Sequence, residues 1–167
     1  MWLGTAAAWT DGIVDELLKL RDEGKVRALG VSIHDRERAG RLARDSVLDL
    51  FMIRYNAAHP GAERDIFPHL EKRKPAIVAY TATSWRKLLR RPGGYDGQVM
   101  TAGDCYRFCL SSEYVDVVLT GPKSRAELEE NLDAVERGPL PADERTRLPM
   151  LRSRSEERRV GKECRSR

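Results

Sequence analysis

Short β-rich runs alternate with helical periods along most of this chain, and that alternation leaves few folds open. KVRALGVS (residues 25–32), VLDLFMIRYN (47–56), PAIVAYT (75–81) and VDVVLTG (115–121) carry the β-branched and aliphatic density of strands. A further run, MWLG (1–4), reads as the end of another strand. Between them lie five helical patterns. In DGIVDELLKLRDEG, Ile13, Leu17 and Leu20 share a face, Asp11 is placed to cap, and Gly24 stands where a C-terminal glycine belongs. DRERAGRLARDS turns Ala39, Leu42 and Ala43 inward. AERDIFPHLEKRK turns Ile66 and Leu70 inward, and Pro68 either weakens the helix or confines it to two short turns. A fourth pattern covers TAGDCYRFCLSS. The fifth, SRAELEENLDAVERG, sets Leu128, Leu132 and Val135 on one stripe and stops at Gly138-Pro139. Strand, helix, strand, helix predicts an α/β protein with a parallel sheet covered by helices. Val115 to Leu119, almost unbroken apolar, reads as a parallel strand buried on both faces. An open doubly wound sheet and part of a (β/α)₈ barrel both satisfy the pattern.

The last fourteen residues, RSEERRVGKECRSR (154–167), have neither periodicity nor turn chemistry. They read as the in-frame translation of a sequencing-library adapter, a segment to set apart from fold reasoning. Residues 1–150 are therefore expected to form the folded body, and 151–167 a non-native or disordered tail. The tail changes the charge balance. The chain has 30 Lys+Arg against 26 Asp+Glu, a net of +4; removing the tail's six basic and three acidic residues leaves 24 against 23, a net of +1. Nothing basic remains to call for nucleic acid or an anionic membrane surface. Outside the tail the cysteines are Cys105 and Cys109, four apart on an expected helix. Consecutive turns of one helix seldom suit a disulfide, so both read as small apolar core residues in a reducing compartment. No apolar run approaches the roughly 18 residues of a membrane span, and the start is not signal-like. A soluble, cytoplasmic protein is expected.

Both candidate architectures gather ligands beyond the carboxyl ends of their strands. Those ends are Ser32-Ile33-His34, Tyr55-Asn56, Tyr80-Thr81 and Thr120-Gly121. The most informative is the last, where a strand passes through Gly121-Pro122 and Lys123-Ser124 directly into a helix. A helix N-terminus offers unpaired N–H groups and a positive dipole end to an anion, and Lys123 adds a charge. The same residues also form a capping box, Ser124 at the N-cap and Glu127 three positions on, which needs no ligand. Tyr80 can stack on a flat ring or pack under the following loop. Ser32 and Asn56 can bond an amide or ribose, or serve turns. His34 and His59 are expected near the same rim. No His/Cys/Glu spacing supplies three or four converging ligands, so no metal site is expected. Trp85 and Trp9 either line a pocket or cover the fold.

These residues carry a resemblance. EGKVRALGVSIH (23–34), DLFMIRYNAAH (49–59), IVAYTATSWRKLL (77–89) and CYRFCLSSEYVDVVLTGPKSRAELEENL (105–132) make the chain similar to the C-terminal half of an aldo-keto reductase, over about residues 1 to 150. The resemblance implies a partial (β/α)₈ TIM barrel: strands five to eight plus the end of strand four. It implies hydride transfer between NADP(H) or NAD(H) and the carbonyl of a small aldehyde or ketone. It assigns Ser32 to the nicotinamide amide and Tyr80, followed by Thr81, to the ring. It assigns Gly121, Lys123, Ser124, Glu130 and Asn131 to the adenine-side phosphates. Some positions depart from the family pattern. Ile33 stands where Asn is usual, Met52 where Gln is usual, and Glu127 where Arg or Gln often meets a 2′-phosphate; the choice between NADPH and NADH stays open. The family's catalytic Asp, Tyr and Lys have no counterpart in this sequence, and its His position falls nearest Gly4, so no catalytic residue is assigned. Two alternatives stand beside the enzyme: a non-catalytic dinucleotide sensor or regulatory barrel, and an inactive truncated reading frame. A full barrel needs about 250 residues. The part expected here leaves strand edges open, which predicts instability, aggregation or edge-to-edge dimers.

Overall fold

The computed structural model describes residues 2–5, 11–91 and 99–147; the expected tail at 151–167 and Trp9 lie outside them. Five strands alternate with helices: β1 (Trp2–Thr5), α1 (Asp11–Asp22), β2 (Gly30–Ile33), α2 (Arg36–Asp45), β3 (Leu50–Arg54) and α3 (Ala62–Asp65). After a 3₁₀ turn at Phe67–His69 come β4 (Ala76–Tyr80), α4 (Ala102–Leu110), β5 (Val117–Val118), α5 (Arg125–Glu136) and α6 (Ala142–Arg147). Each helix the sequence predicts is present; α6 is additional. Pro68 divides the third pattern as expected, because it lacks the N–H that would continue α3.

The chain forms two compact units. The first comprises residues 1–54 and 61–78, the second 55–60 and 79–167. In the first unit β1, β2 and β3 pair in parallel, with Val31 beside Phe51 and Ile33 beside Ile53. These four side chains are buried, and alternate residues of β3 are only half-buried, so one face of the strand feeds the core. Ala39 and Ala43 of α2, Ile66 and Leu70 complete it. Asp35 caps α2 by accepting the Arg38 N–H at 2.9 Å. Gly40 lies on the buried face of α2, against the Asp65 carbonyl and the His69 ring. The Ala76 N–H bonds the Asp49 carbonyl and leads β4 in beside β3.

In the second unit, the Leu119 N–H bonds the Ala79 carbonyl and sets β5 beside the end of β4. The strand order is therefore sequential, β1 to β5. A doubly wound sheet reverses direction at a switch point, whereas a barrel adds each strand beside the last. The sequential order resolves the sequence ambiguity in favour of the barrel pattern. Helix α4 packs against α5 and β5. The Tyr55 and Phe108 rings lie 5.6 Å apart, both fully buried. The Arg107 guanidinium donates to the carbonyls of Gly138 and Pro139, at 2.8 and 3.1 Å, and so secures the turn that ends α5.

Two expectations for this unit need correction. Val115 to Leu119 was expected to be a strand buried on both faces. Only Val117–Val118 is strand, and Val117 is 47% exposed. The reason is its position: β5 ends the strand order and has β4 as its one strand neighbour among the described residues. The stripe Leu128, Leu132 and Val135 does not enter the core either. Leu132 is 55% exposed, while Asn131 and Ala134 form the buried face of α5. Gly103 of α4 sets that face, because Ala134 Cβ sits where a side chain at 103 would stand.

Cys105 and Cys109 are free and buried. Burial pushes the Cys105 thiol up to about 12 and raises Cys109 further, whose S–H donates to the Tyr55 carbonyl at 3.3 Å. Thiolates are the reactive form, so both are expected to resist a thiol reagent at pH 8 and to react once the chain is unfolded in denaturant. Timed labelling read by mass spectrometry checks this; rapid labelling of either in the native chain contradicts the packing. Among the described residues no helix is long and apolar enough to cross a membrane.

Candidate functional site

The site lies within the second unit, where the loops leaving β4 and β5 meet the start of α5. Residue by residue, the first wall begins at Thr81. The buried Asn56 side chain donates its Nδ2–H to the Thr81 carbonyl at 2.8 Å, while its Oδ1 accepts the Ala58 N–H at 3.0 Å. Asn56 therefore acts as a turn residue that fixes the start of the next loop. Thr81 itself adopts φ +55°, in the left-handed region. Ser84, Trp85 and Arg86 follow with φ of 49°, 55° and 64°. Each such residue costs about 1–2 kcal/mol, and runs of this kind persist where surrounding structure fixes them. Here the run carries the Trp85 ring and the Arg86 guanidinium to the cavity wall.

The second wall is the turn into α5. Ser124 is the N-cap, and its Oγ accepts the Glu127 N–H at 3.2 Å, as the capping pattern predicts. The return bond differs. Glu127 Oε2 accepts the N–H of Lys123, one residue before the cap, at 2.7 Å. Its other oxygen lies 3.4 Å from Arg86 Nη2. The Lys123 N–H holds the Glu127 carboxyl below the usual glutamate range, and the Arg86 charge adds to the effect. The carboxylate at this position thus folds back onto its own helix start.

Between the walls is a cavity of about 630 Å³. That volume falls in the range of small-molecule sites, which run from about 300 to 1,000 Å³. Of the residues singled out in the sequence, Thr81, Gly121, Lys123, Glu130 and Asn131 line it, as does Trp85. Ser124 stands behind Lys123 as the cap. Tyr80 is half-buried at the end of β4, immediately before Thr81, and is not itself a lining residue. Ser32 is a half-buried residue of β2, paired beside Met52 in the first unit. His34 is exposed after β2. The His59 ring Nδ1 lies 3.0 Å from Asn56 Oδ1.

The structure also brings in residues the sequence reading passed over. Asn131 Nδ2 donates to Thr120 Oγ1 at 2.9 Å, and the Thr120 hydroxyl donates to the Tyr106 oxygen at 2.9 Å. This chain of bonds joins α5, the end of β5 and α4, and it orients the phenol at the cavity. Helical spacing in the fourth pattern carries no signal of the link from Tyr106 to Thr120.

One atom points to a ligand. Thr81 Oγ1 is buried and has no hydrogen-bond partner among the described residues. An unmet buried hydroxyl costs about 1–3 kcal/mol. A lysine beside a helix start can meet an anion there, and the flat Trp85 ring offers a stacking face.

Comparison with known proteins agrees on the fold. The sequence matches no protein-family model and no curated protein. Among solved structures, the chain is similar to the aldo-keto reductase AKR11C1 from Bacillus halodurans. Against its holo form the TM-score is 0.72 at 21% identity, covering 91% of this chain and 60% of that chain. Against its apo form the TM-score is 0.71 at 20% identity, covering 91% and 62%. The fold is thus α/β and matches part of an aldo-keto reductase barrel. The chain spans about three-fifths of the length of these structures.

Proposed function

We propose that a chain with this fold supplies the dinucleotide-binding part of a cytoplasmic, NAD(P)H-dependent reductase of small aldehydes or ketones. The carrying observation is the cavity of the second unit, which Thr81, Lys123 and the first turns of α5 line together. The bound nicotinamide dinucleotide supplies a hydride to the carbonyl carbon. The protein's part is binding and orientation. Lys123 and the backbone of Gly121 hold the diphosphate. The hydroxyl chain from Asn131 through Thr120 to Tyr106 keeps the neighbouring polar groups aimed at the cavity. Asn56 fixes the Thr81 backbone, so Thr81 Oγ1 has one defined place in which to accept or donate a bond. Tyr80, which ends β4 next to Thr81, is the proposed ring platform.

A second reading keeps the cofactor and drops the catalysis: a dinucleotide-responsive regulatory barrel. Gly4, at the position where the family sets its histidine, favours it. Titration with NADH and NADPH tests the shared premise. Trp85 lines the cavity, so binding of either dinucleotide should quench tryptophan fluorescence, and Trp85→Phe should remove most of that signal. No quenching and no heat of binding with either dinucleotide, in a chain that melts cooperatively, would rule out both readings.

A further inference from the structure

A total charge close to balance averages away one local concentration. From Thr81 to Arg91 the sequence carries four basic residues, Arg86, Lys87, Arg90 and Arg91, and no acidic one. All four are exposed. Arg86 turns to Glu127, at 3.4 Å. Lys87, Arg90 and Arg91 enter no salt bridge among the described residues. The Arg90 N–H bonds the Lys87 carbonyl at 3.3 Å, so these two cations stand one turn apart. None of the three lines the cavity. Like charges gathered this closely repel one another, and a partner with several negative charges relieves the repulsion.

Beside them stands Trp85, 59% exposed, above every other large hydrophobic side chain among the described residues. The left-handed run Ser84 to Arg86 holds its ring outward while Leu88 anchors the turn inside. A membrane surface suits this group poorly. Leu88 is buried and Leu89 half-buried, which leaves Trp85 as the one exposed apolar side chain to insert. A nucleic-acid duplex offers phosphates but keeps its bases stacked on one another. We infer that Trp85, Lys87, Arg90 and Arg91 form a binding surface for single-stranded nucleic acid. The three cations meet backbone phosphates, and the indole stacks on one unpaired base. Both contacts are open to any base, so binding is tolerant of sequence. Three phosphate contacts on a single strand set a slope of about −2 in log K against log salt. The inference stands apart from the dinucleotide reading of the cavity.

The test is fluorescence anisotropy of a labelled oligothymidylate of roughly twelve nucleotides, titrated with the full chain over a range of salt. Binding should weaken about tenfold between about 50 and 150 mM salt and should exceed that of a duplex of equal length. Trp85→Ala should cost about tenfold in Kd, and Trp85→Phe, which keeps an aromatic face, much less. Lys87→Gln, Arg90→Gln and Arg91→Gln together should flatten the salt slope. The same change at Lys19, Arg41 and Lys72, exposed cations of the first unit, should leave it in place. Melts followed by circular dichroism establish that each variant keeps the parent's fold. No binding of the strand at low salt overturns the inference. Equal losses in the two triple variants overturn it too, because the protein's overall field then attracts the strand. So does a duplex that binds as tightly, with Trp85→Ala unaffected. Binding to phosphatidylglycerol vesicles without binding to the strand overturns it in favour of a membrane surface.

Discussion

Gly40→Ala is expected to lower the stability of the chain by about 2–4 kcal/mol, although alanine is the better helix former. The intrinsic preference favours alanine by about 1 kcal/mol in a helix interior. Tertiary contact opposes it. A methyl on Gly40 would press on the Asp65 carbonyl oxygen and come within 2.6 Å of His69 Cδ2. The imidazole can turn away, but the carbonyl belongs to the backbone of α3 and moves only with it. Relief therefore separates α2 from α3, which also strains the Arg36–Asp65 ion pair, at 2.9 Å, that bridges them. Overpacking of this kind costs about 1–3 kcal/mol, with the loosened Ala39 and Ala43 contacts in addition. Gly12→Ala is the control. It lies in α1 with nothing within 4 Å of the added methyl, and should stabilise by about 0.5–1 kcal/mol. Urea melts of the two variants should therefore shift in opposite directions. A Gly40→Ala chain as stable as the parent would mean that α2 does not approach α3 this closely.

Lys123→Glu is expected to weaken dinucleotide binding about thirtyfold or more. A charge-assisted hydrogen bond to an anion contributes about 1.5–3 kcal/mol, and each 1.4 kcal/mol is a factor of ten. Reversing the charge removes the attraction and adds repulsion beside Glu127 and Glu130 in the same wall. The fold should be indifferent. Lys123 is exposed, and its backbone N–H still bonds Glu127. Lys19→Glu, an exposed reversal on α1 of the first unit, gives the same change in net charge away from the cavity. Equal loss of affinity in the two variants would mean that the protein's overall field attracts the ligand, and that Lys123 has no specific place in holding it.

The open apolar surface of the second unit bears on how both experiments are run. Leu132 of α5 and Val117 of β5 are exposed, and strand edges of this kind invite pairing with another chain. Concentration-dependent association is the expected behaviour, so affinities and melts belong at low protein concentration.

Most of the local structure was legible in the sequence because it depends on neighbours along the chain. Pro68 split its helix through a missing donor. Gly24 and Gly138 took φ of 73° and 76° after their helices, as the left-handed end of a helix favours glycine. Ser124 capped α5 because its hydroxyl lies within reach of an amide three residues on. Even Cys105 and Cys109 followed from spacing, which put both on the inner face of α4.

What the sequence did not determine depends on partners distant in the chain. An apolar stripe states that a helix has a face to cover, and not what covers it. Leu128, Leu132 and Val135 form such a stripe, yet α5 packs on α4 through Asn131 and Ala134, because Gly103 lets it approach there. Strand order was likewise open until the hydrogen bonds between strands fixed it as sequential. At the site, periodicity located Lys123 and Ser124, but it could not foresee Arg86. That guanidinium reaches Glu127, forty-one residues away, through three consecutive left-handed residues whose conformations no local preference supplies. Local hydrogen-bond geometry is written in adjacent residues; charge pairing across a cavity exists only after folding has brought its two walls together.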